Sequence, residues 1–391
     1  MRSLRDAELD GKRVLMRVDF NVPTDKEGKI LDDAKIISAL PSIKHILGNN
    51  SKLILMSHLG RPKGKRDEKY SLKPVASYLD NLLKASVNIA EDCVGDTVKK
   101  RIENMKNGDV LLLENLRFHP EEEENDADFS KELAALGDVY INDAFGTAHR
   151  AHASTVGITD YLPAYAGFLM ENEVKMLSQV INSPERPRMA ILGGAKVTDK
   201  LGLISNLLDK MDVILIGGGM ANTFLKAKGK NIGRSLYEKD LVAEAASLFE
   251  KARQKKVKLF IPIDVVITGE IAENAKANVV NVDEVPDNMM IVDIGPNTLE
   301  LYQKEISQAK TIIWNGPMGV YEYEQFAAGS LGITLALAHS PAVSVIGGGD
   351  SAVIAHDMGL EDKITHISTG GGATLEFLEG IQLPGVLACG G

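Results

Sequence analysis

Short apolar runs recur along the whole of this 391-residue chain, and most of them end in a glycine or polar cluster. Val14–Val18 leads into DFN, Leu53–Met56 into SHLGR and Val213–Ile216 into GGG. Runs of this length, with β-branched residues and no polar alternation, predict strands buried on both faces. Amphipathic segments such as Ala34–Leu47 and Leu241–Gln254 lie between them and predict helices. This alternation indicates an α/β chain built on parallel sheets.

The remaining runs continue this pattern through both halves of the chain. They are Val110–Leu113, Val139–Ile141, Met189–Leu192, Lys258–Ile263, Met290–Ile294, Thr311–Trp314, Val343–Ile346 and Ile364–Ile367. At about 150 residues per domain, the length predicts two domains or three. The segment from Met170 to Pro187 begins as a helix, then becomes polar and closes with prolines. We therefore place the domain connection there.

Charge and cysteine content exclude several classes of protein. Lysine and arginine total 44 and aspartate and glutamate 54, so the net charge of −10 argues against a general nucleic-acid binder. The two cysteines, Cys93 and Cys389, are too far apart for a CxxC pair, which excludes a disulfide framework and a cysteine-rich zinc site. We expect no signal peptide and no membrane helix, because the first residues are charged throughout and no apolar stretch approaches about 18 residues. These features predict a cytoplasmic protein.

The residues that follow the apolar runs differ between the two halves of the chain. In parallel sheets, ligands bind at the carboxyl ends of the strands. The first half offers cations and hydrogen-bonding groups there: Asp19, Asn21, His58, Arg61, Arg117, His149 and Arg150. The second half offers glycines: Gly193, Gly194, Gly217–Gly219, Gly347–Gly349 and Gly370–Gly372. Glycine lets backbone N–H groups approach a phosphate, so the contrast predicts a polyanion domain and a nucleotide domain, as phosphoryl transfer requires.

Each of these signals has a simpler interpretation. A single glycine triplet can be a tight turn, and an arginine after a strand can be a surface residue. His149 and His152 are spaced as a metal pair, but no carboxylate or cysteine stands at ligand spacing. Asp350 can hold Mg²⁺ or cap a helix. The segment GGAKVTDK contains a lysine but lacks the spacing of a Walker A phosphate loop. No clean GxGxxG follows a predicted strand with an acidic residue about 20 positions later, which argues against a dinucleotide-dependent dehydrogenase.

Longer motifs resemble those of one family, phosphoglycerate kinase, in order from about residue 3 to about residue 385. They are RVDFNVP (Arg17–Pro23), SHLGRPKG (Ser57–Gly64), LLLENLRFHPEE (Leu111–Glu122), NDAFGTAHRAHAS (Asn142–Ser154), GGAKVTDK (Gly193–Lys200), WNGPMGVYE (Trp314–Glu322), GGGDS (Gly347–Ser351) and STGGGATLEFLEG (Ser368–Gly380).

The resemblance implies a fold, an activity and partners. The expected fold is two doubly wound, parallel-sheet, Rossmann-like domains joined by a hinge. Residues 1–170 would bind phosphoglycerate, 171–377 would bind nucleotide, and 378–391 would return to the N-terminal domain. The implied enzyme is a glycolytic phosphotransferase with a carboxyl acceptor, which reversibly converts 1,3-bisphosphoglycerate and MgADP to 3-phosphoglycerate and MgATP. We expect a cytoplasmic monomer with Mg²⁺ as cofactor and no nucleic-acid or membrane partner.

The resemblance also implies the roles of individual residues. On the substrate side, Asp19 and Asn21 would hold the glycerate hydroxyl and carboxylate, and His58, Arg61, Arg117 and Arg150 would cradle its phosphate. Lys196 would stabilise the transferring phosphoryl group, aided by the N–H groups of Gly349, Gly371 and Gly372, and Lys200 would contact nucleotide phosphate. Asp350 would ligate Mg²⁺, Ser351 would cap the helix below the phosphates, and Glu322 would bind the ribose. The remaining nucleotide-binding residues would be Gly194, Gly217, Gly218, Asn315, Pro317, Val320 and Gly348.

One position departs from the family pattern. The family reads DD-x-R-I where this chain has Asp32, Asp33, Ala34, Lys35 and Ile36, so Lys35 replaces an arginine that bridges the substrate and the moving phosphoryl group. Lysine keeps the charge but loses the planar fork of donors. We therefore expect Lys35 to be a catalytic and substrate-binding residue, with a ligand-binding but catalytically weakened homologue as the alternative.

Overall fold

The computed structural model describes residues 1–25, 27–84, 86–183 and 185–390, with only the backbone of Asp199. The chain packs into two compact units. The first comprises Met1–Val174 and Gln382–Gly391, and the second comprises Lys175–Ile381. Gly391, the last residue of the predicted segment 378–391, lies outside the described residues.

The first unit is built on a parallel sheet. Its strands are β1 (Arg13–Arg17), β2 (Lys52–Met56), β3 (Val87–Ile89), β4 (Val110–Leu112), β5 (Val139–Asn142) and β6 (Ala164–Ala166). Its helices are α1 (Ala34–Leu47), α2 (Lys73–Leu83), α3 (Asp96–Glu103), α4 (Pro120–Glu124) and α5 (Ala127–Ala134), and α6 (Phe168–Asn182) begins in this unit. The strand order is β3-β4-β2-β1-β5-β6. The order reverses at β1, so the ligand crevice of such a sheet opens at the carboxyl ends of β1 and its neighbours.

Two hydrophobic cores cover the two faces of this sheet. Met16 of β1 shares one core with Ile36 of α1 and Val75 of α2. The next residue back along the strand, Leu15, shares the other core with Phe129 of α5. Successive strand residues point to opposite faces, so continuously apolar strands need helices on both sides. Each fully buried aliphatic side chain contributes about 1.5–3 kcal/mol to folding.

The second unit contains a parallel sheet and a smaller antiparallel one. Its strands are β7 (Arg188–Leu192), β8 (Val213–Ile216), β9 (Lys258–Phe260), β10 (Asp264–Thr268), β11 (Asn278–Asn281), β12 (Met290–Ile294), β13 (Thr311–Asn315), β14 (Val343–Gly347) and β15 (His366–Ile367). Its helices are α7 (Leu201–Leu207), α8 (Met220–Ala227), α9 (Val242–Lys255), α10 (Pro296–Gln308), α11 (Ala328–His339), α12 (Gly349–Asp357) and α13 (Gly372–Leu378); α14 (Pro384–Leu387) belongs to the first unit. The parallel order is β15-β14-β13-β7-β8-β9, and the antiparallel order is β11-β10-β12.

The antiparallel sheet corrects two sequence predictions. The run Met290–Ile294 forms β12, which pairs antiparallel with β10 rather than joining the parallel sheet. The run Lys258–Ile263 ends as a strand at Phe260, and β10 follows it after Pro262. Proline cannot donate to a strand ladder, so it separates the two strands. The connection 269–277 between β10 and β11 is shorter than the dozen or so residues that a parallel crossover needs, which favours their antiparallel pairing.

The predicted fold class, two parallel-sheet α/β units with a doubly wound strand order, is confirmed. A search for membrane spans among the described helices finds none of the length and apolar character that crossing a bilayer demands.

Candidate functional site

The carboxyl ends of β1 and β2 bring three predicted residues of the first unit together. Asp19 follows β1, His58 follows β2, and Lys35 lies in the first turn of α1. The Lys35 Nζ donates to Asp19 Oδ2 at 2.8 Å, and His58 Nδ1 lies 4.0 Å from Asp19 Oδ1. Lys35 is therefore held beside the acidic residue that the family resemblance assigns to the substrate.

Arg17, at the end of β1, joins this group and was not predicted as a site residue. Its side chain is only 1% exposed, and its Nη2 lies 3.1 Å from His58 Nδ1. Its Nε donates to Ser154 Oγ at 2.9 Å, and Ser154 Oγ donates to Glu122 Oε1 at 2.6 Å. The buried Glu122 thus provides a nearby negative charge for a buried guanidinium, as such a cation requires.

The other predicted residues of this unit vary in how closely they join the group. Asn21 Oδ1 accepts from the Gly60 N–H at 2.9 Å, and Arg117 Nη1 donates to the Gly60 carbonyl at 2.9 Å, so both meet the loop after β2. Arg150, half-buried, donates from Nε to His149 Nε2 at 3.1 Å. Arg61 is exposed, and within the described part of the chain no hydrogen bond or ion pair ties its side chain to the group.

The charges of this group act on two buried histidines. Burial, followed by the charges of Arg17 and Arg117, lowers the pKa of His58 well below its ordinary value. Burial, followed by the charges of Arg17, Arg117 and Arg150, lowers the pKa of His152 to about 3. Both imidazoles are therefore neutral at physiological pH, and the positive charge resides on the arginines and on Lys35. A surplus of fixed cations around neutral hydrogen-bonding groups is suited to a small polyanion.

The second unit contains a cleft of about 330 Å³ between the parallel sheet and the antiparallel sheet. Six predicted nucleotide-binding residues line it: Gly194, Gly218, Pro317, Val320, Glu322 and Asp350. Most of the other lining residues are apolar. A cleft with apolar walls and a few polar groups is typical of small-molecule sites.

Close backbone packing at the carboxyl ends of β7, β8 and β13 forms one wall of this cleft. Gly218 has a φ of +64°, and a Cβ there would lie 2.6 Å from the Gly194 nitrogen and 2.7 Å from the Pro317 oxygen. A Cβ on Gly217 would lie 2.4 Å from Met318 Sδ. Only glycine satisfies both the left-handed backbone and this approach at position 218, which explains the run that follows β8.

The start of α12 carries the next group of predicted residues. Asn315 Nδ2 donates to the Gly347 carbonyl at 2.7 Å, and Ser351 Oγ accepts from the Gly316 N–H at 2.9 Å. Gly348 has a φ of +100°, and a Cβ at Gly349 would meet nothing within 4 Å. Ser351 therefore joins α12 to the loop after β13, while the first turn of the helix leaves open space beside its backbone.

The remaining predicted residues are not among those that line the cleft. Lys196 is exposed, and its charge acts on Glu238. Lys200 is buried, and its Nζ donates to the Gly193 and Asn315 carbonyls at 2.6 and 3.0 Å, next to Gly194. Gly372 begins α13, and the preceding Gly371 has a φ of +52°.

The antiparallel sheet contributes cleft residues that were not predicted, among them Asp293 of β12. Its carboxylate accepts from the Gly329 N–H at 2.7 Å and from the Ile294 N–H at 2.8 Å. Burial raises the pKa of Asp293 to about 7, although both hydrogen bonds oppose the shift. The only sequence signal was an aspartate within an apolar run, which is too common to identify a site.

Asp350 fits a magnesium ion bound together with nucleotide phosphates. Its carboxylate is exposed in the first turn of α12 and lines the cleft. Mg²⁺ prefers oxygen ligands and often uses one or two carboxylates together with substrate phosphates. The Asp350 carboxylate thus offers a suitable ligand, and α12 adds the positive end of its dipole.

Comparison with known proteins gives a consistent result. A family model described as phosphoglycerate kinase matches residues 4–381. Phosphoglycerate kinases of Pelotomaculum thermopropionicum and Chlorobaculum tepidum are each 53% identical, over 387 and 391 residues, with 99% of this chain and 98% of those proteins covered. The solved phosphoglycerate kinase of Coxiella burnetii superposes with a TM-score of 0.91 at 42% identity, covering 99% of this chain and 98% of that one. The corresponding structure from Pyrococcus horikoshii OT3 gives 0.87 at 35% identity, covering 100% and 98%.

Proposed function

This chain belongs to the phosphoglycerate kinase family, and from that premise we propose how its own residues carry out the family reaction. The chain is a phosphoglycerate kinase in function, which transfers a phosphoryl group to or from a carboxyl group in glycolysis. The alternative of a catalytically weakened homologue, raised by Lys35, has no support among these relatives.

The cationic group of the first unit is the proposed site for 3-phosphoglycerate and 1,3-bisphosphoglycerate. The observation that carries this proposal is that Arg17 and Lys35 lie against His58 and Asp19 where β1 and β2 end. Asp19, Glu122 and Glu123 lie near Lys35, Arg17 and Arg117, so the positive surplus that favours a bound polyanion comes with the further arginines of the group. Asp19 and Asn21 add acceptors for the glycerate hydroxyl, while Arg61 and Arg150 complete the phosphate cradle.

Lys35 is proposed to serve where the family uses arginine. Its contact with Asp19 holds the ammonium at the carboxyl end of β1 without a guanidinium fork. A single charge-assisted contact from an ammonium to the substrate carboxylate or phosphoryl oxygen replaces the bidentate contact.

The cleft of the second unit is the proposed site for ADP and ATP. Gly194, Gly217, Gly218, Pro317 and Val320 contact the adenosine, and Glu322 binds the ribose. Asn315 and Gly348 shape the phosphate end, where Lys196 and Lys200 contact phosphoryl oxygens. Asp350 holds Mg²⁺, which neutralises phosphate charge when it is bound.

Catalysis is proposed to rest on positioning and on charge stabilisation. In the forward reaction an oxygen of the ADP β-phosphate forms a bond to phosphorus as the acyl-phosphate P–O bond breaks. Both the attacking and the departing groups are anionic, so no general base is needed. The N–H groups of Gly349 and Gly372 and the ammonium of Lys196 stabilise the transferring group, whose negative charge is spread over its oxygens.

Calorimetric titration of 3-phosphoglycerate into Lys35→Ala tests the substrate site. We expect the affinity to fall about tenfold or more, because a charge-assisted contact is worth about 1.5–3 kcal/mol. Lys44→Ala is the matched control, since Lys44 is an exposed lysine on the same helix. Equal affinities for both variants would contradict the assignment of Lys35 to the substrate.

The domain roles, the hinge, the monomeric state and the cytoplasmic location complete the proposal. The first unit is assigned to phosphoglycerate and the second to nucleotide, and the reaction requires the two ligands to meet through a hinge movement. Small-angle scattering with and without both ligands tests the movement, and the molar mass in the same samples tests the monomer. An unchanged radius of gyration would contradict the hinge.

A further inference from the structure

A second group of chemically active side chains lies in the first unit, at the Asp92–Cys93 bend and at His119. Their potential ligand atoms all lie within 4.8 Å of one another. Among the described residues, it is the one group of three or more histidine, cysteine, aspartate or glutamate side chains whose ligand atoms lie this close together. The group combines a carboxylate oxygen, a sulfur and an imidazole nitrogen. None of these three residues is used in the proposed phosphoryl transfer.

Two members of the group are partly exposed and the third is buried. The His119 and Asp92 side chains are 27% and 45% exposed, while Cys93 is fully buried. His119 Nε2 lies 2.7 Å from Asp92 Oδ1, and its ring stacks on Phe129 with centroids 5.2 Å apart. These two contacts fix the orientation of the His119 ring.

The surroundings of the group are negatively charged. The charges of Glu121 and Glu132 act on His119, and the charge of Glu122 acts on Cys93. One carboxylate oxygen of Glu121 is buried and, among the described residues, has no hydrogen-bond partner. A cation at this place would be attracted by the acidic side chains.

We propose that Asp92, Cys93 and His119 form a binding site for a thiophilic divalent cation of the Zn²⁺ class, distinct from the Mg²⁺ of the nucleotide. Sulfur, nitrogen and carboxylate ligands are those that Zn²⁺ accepts, whereas Mg²⁺ prefers oxygen alone. Three protein ligands leave a fourth position for water. The bound ion would join the Asp92–Cys93 bend, which lies before α3, to His119, which directly precedes α4.

Binding of the metal releases protons from its ligands to solvent. The Cys93 thiol loses its proton to solvent as the sulfur–metal bond forms. His119 binds through Nε2 as a neutral imidazole, so an imidazolium also releases one proton to solvent. No oxidant or further reactant takes part, and the Asp92–His119 hydrogen bond is replaced by two bonds to the metal.

Titration of the full chain with Co²⁺, in the absence of nucleotide, tests this proposal. Cobalt serves as a spectroscopic substitute for zinc, and a cysteine ligand gives a sulfur-to-cobalt charge-transfer band in the near ultraviolet. We expect such a band in the native chain, saturating at one ion per chain and abolished by competing Zn²⁺ but not by Mg²⁺. A native chain without the band would overturn the proposal.

The chain provides a matched control, because Cys389 is its only other cysteine and is also buried. We expect Cys389→Ser to keep the band and Cys93→Ser to lose it. His119→Gln should weaken binding at least about tenfold. Zn²⁺ should raise the melting temperature of the native chain and of Cys389→Ser, since an ion that binds the folded state stabilises it. An equal rise in His119→Gln, or a band retained in Cys93→Ser, would refute the site even where one variant folds poorly.

Discussion

Arg17 illustrates how a charged side chain is accommodated within an apolar strand. It is almost completely buried, yet it contacts His58 and Ser154, and Glu122 lies one hydrogen bond beyond Ser154. Burying an unpaired cation costs several kcal/mol, so this chain of partners is needed to keep Arg17 at the end of β1. The search for functional residues in the loops after the strands did not identify Arg17, because Arg17 is the last residue of β1 itself.

The buried His58 makes the stability of the chain depend on pH. Burial and the charge of Arg17 lower its pKa well below 6.5, so the folded chain keeps the imidazole neutral while the unfolded chain protonates it. Below pH 6.5 the unfolded state therefore binds one more proton at this histidine, and His58 alone lowers the stability by about 1.4 kcal/mol per pH unit. We expect His58→Gln to lose this contribution between pH 6 and pH 5. Denaturant unfolding at each pH measures this contribution as the slope of stability against pH. Identical slopes in native chain and His58→Gln would exclude this account.

Gly349 allows a test of backbone proximity to the phosphoryl group. A methyl group there would meet no protein atom within 4 Å, and its φ is not in the left-handed region. Gly349→Ala should therefore leave the melting temperature unchanged or slightly higher, because alanine is favoured over glycine in a helix by up to about 1 kcal/mol. We expect kcat to fall at least about tenfold, since the methyl group would occupy space next to the transferring group. Thermal melting and steady-state assay measure both, and an unchanged kcat would remove Gly349 from the site.

At the scale of elements, the ends of parallel strands were the most predictable part of the site. Asp19 and His58 follow neighbouring strands whose carboxyl ends necessarily meet, so their sequence positions predicted their proximity. The antiparallel sheet was not predictable in this way. Its apolar runs look like those of a parallel sheet, and only Pro262 and the short connection 269–277 distinguish them. The contribution of Asp293 to the cleft depends on that sheet and was missed with it.

The turn after β8 provides a matched pair of glycine substitutions. Gly218 and Gly229 both have positive φ, at +64° and +76°, but only Gly218 has backbone atoms within 3 Å of a new Cβ. Gly229→Ala should cost about 1 kcal/mol from backbone strain alone. Gly218→Ala should cost a further ~1–3 kcal/mol from overpacking and should weaken ADP binding, because the wall of the cleft must shift. Denaturant unfolding measures the stability of the two variants, and ADP titration measures their affinity for the nucleotide. Equal losses in the two variants would contradict the close backbone approach at Gly218.

At the scale of the whole molecule, sequence and structure agree on two α/β units, each with its own parallel sheet. The net charge of −10 did not reveal the cation site, because a few cations grouped at one sheet edge hardly alter a sum over 98 charged residues, 44 basic and 54 acidic. The sequence could not predict the effect of Lys35 on the rate either. That effect depends on contacts made only in the transition state.

The most direct measurement is the rate of phosphoryl transfer from MgATP to 3-phosphoglycerate, followed through a coupled reaction that consumes the product. The native chain and Lys35→Arg are assayed side by side. We predict robust turnover by the native chain, and a Lys35→Arg rate within about tenfold of it, because both side chains place a positive charge beside Asp19. No turnover by either protein, with both ligands still bound, would contradict the assignment of a kinase activity to this chain.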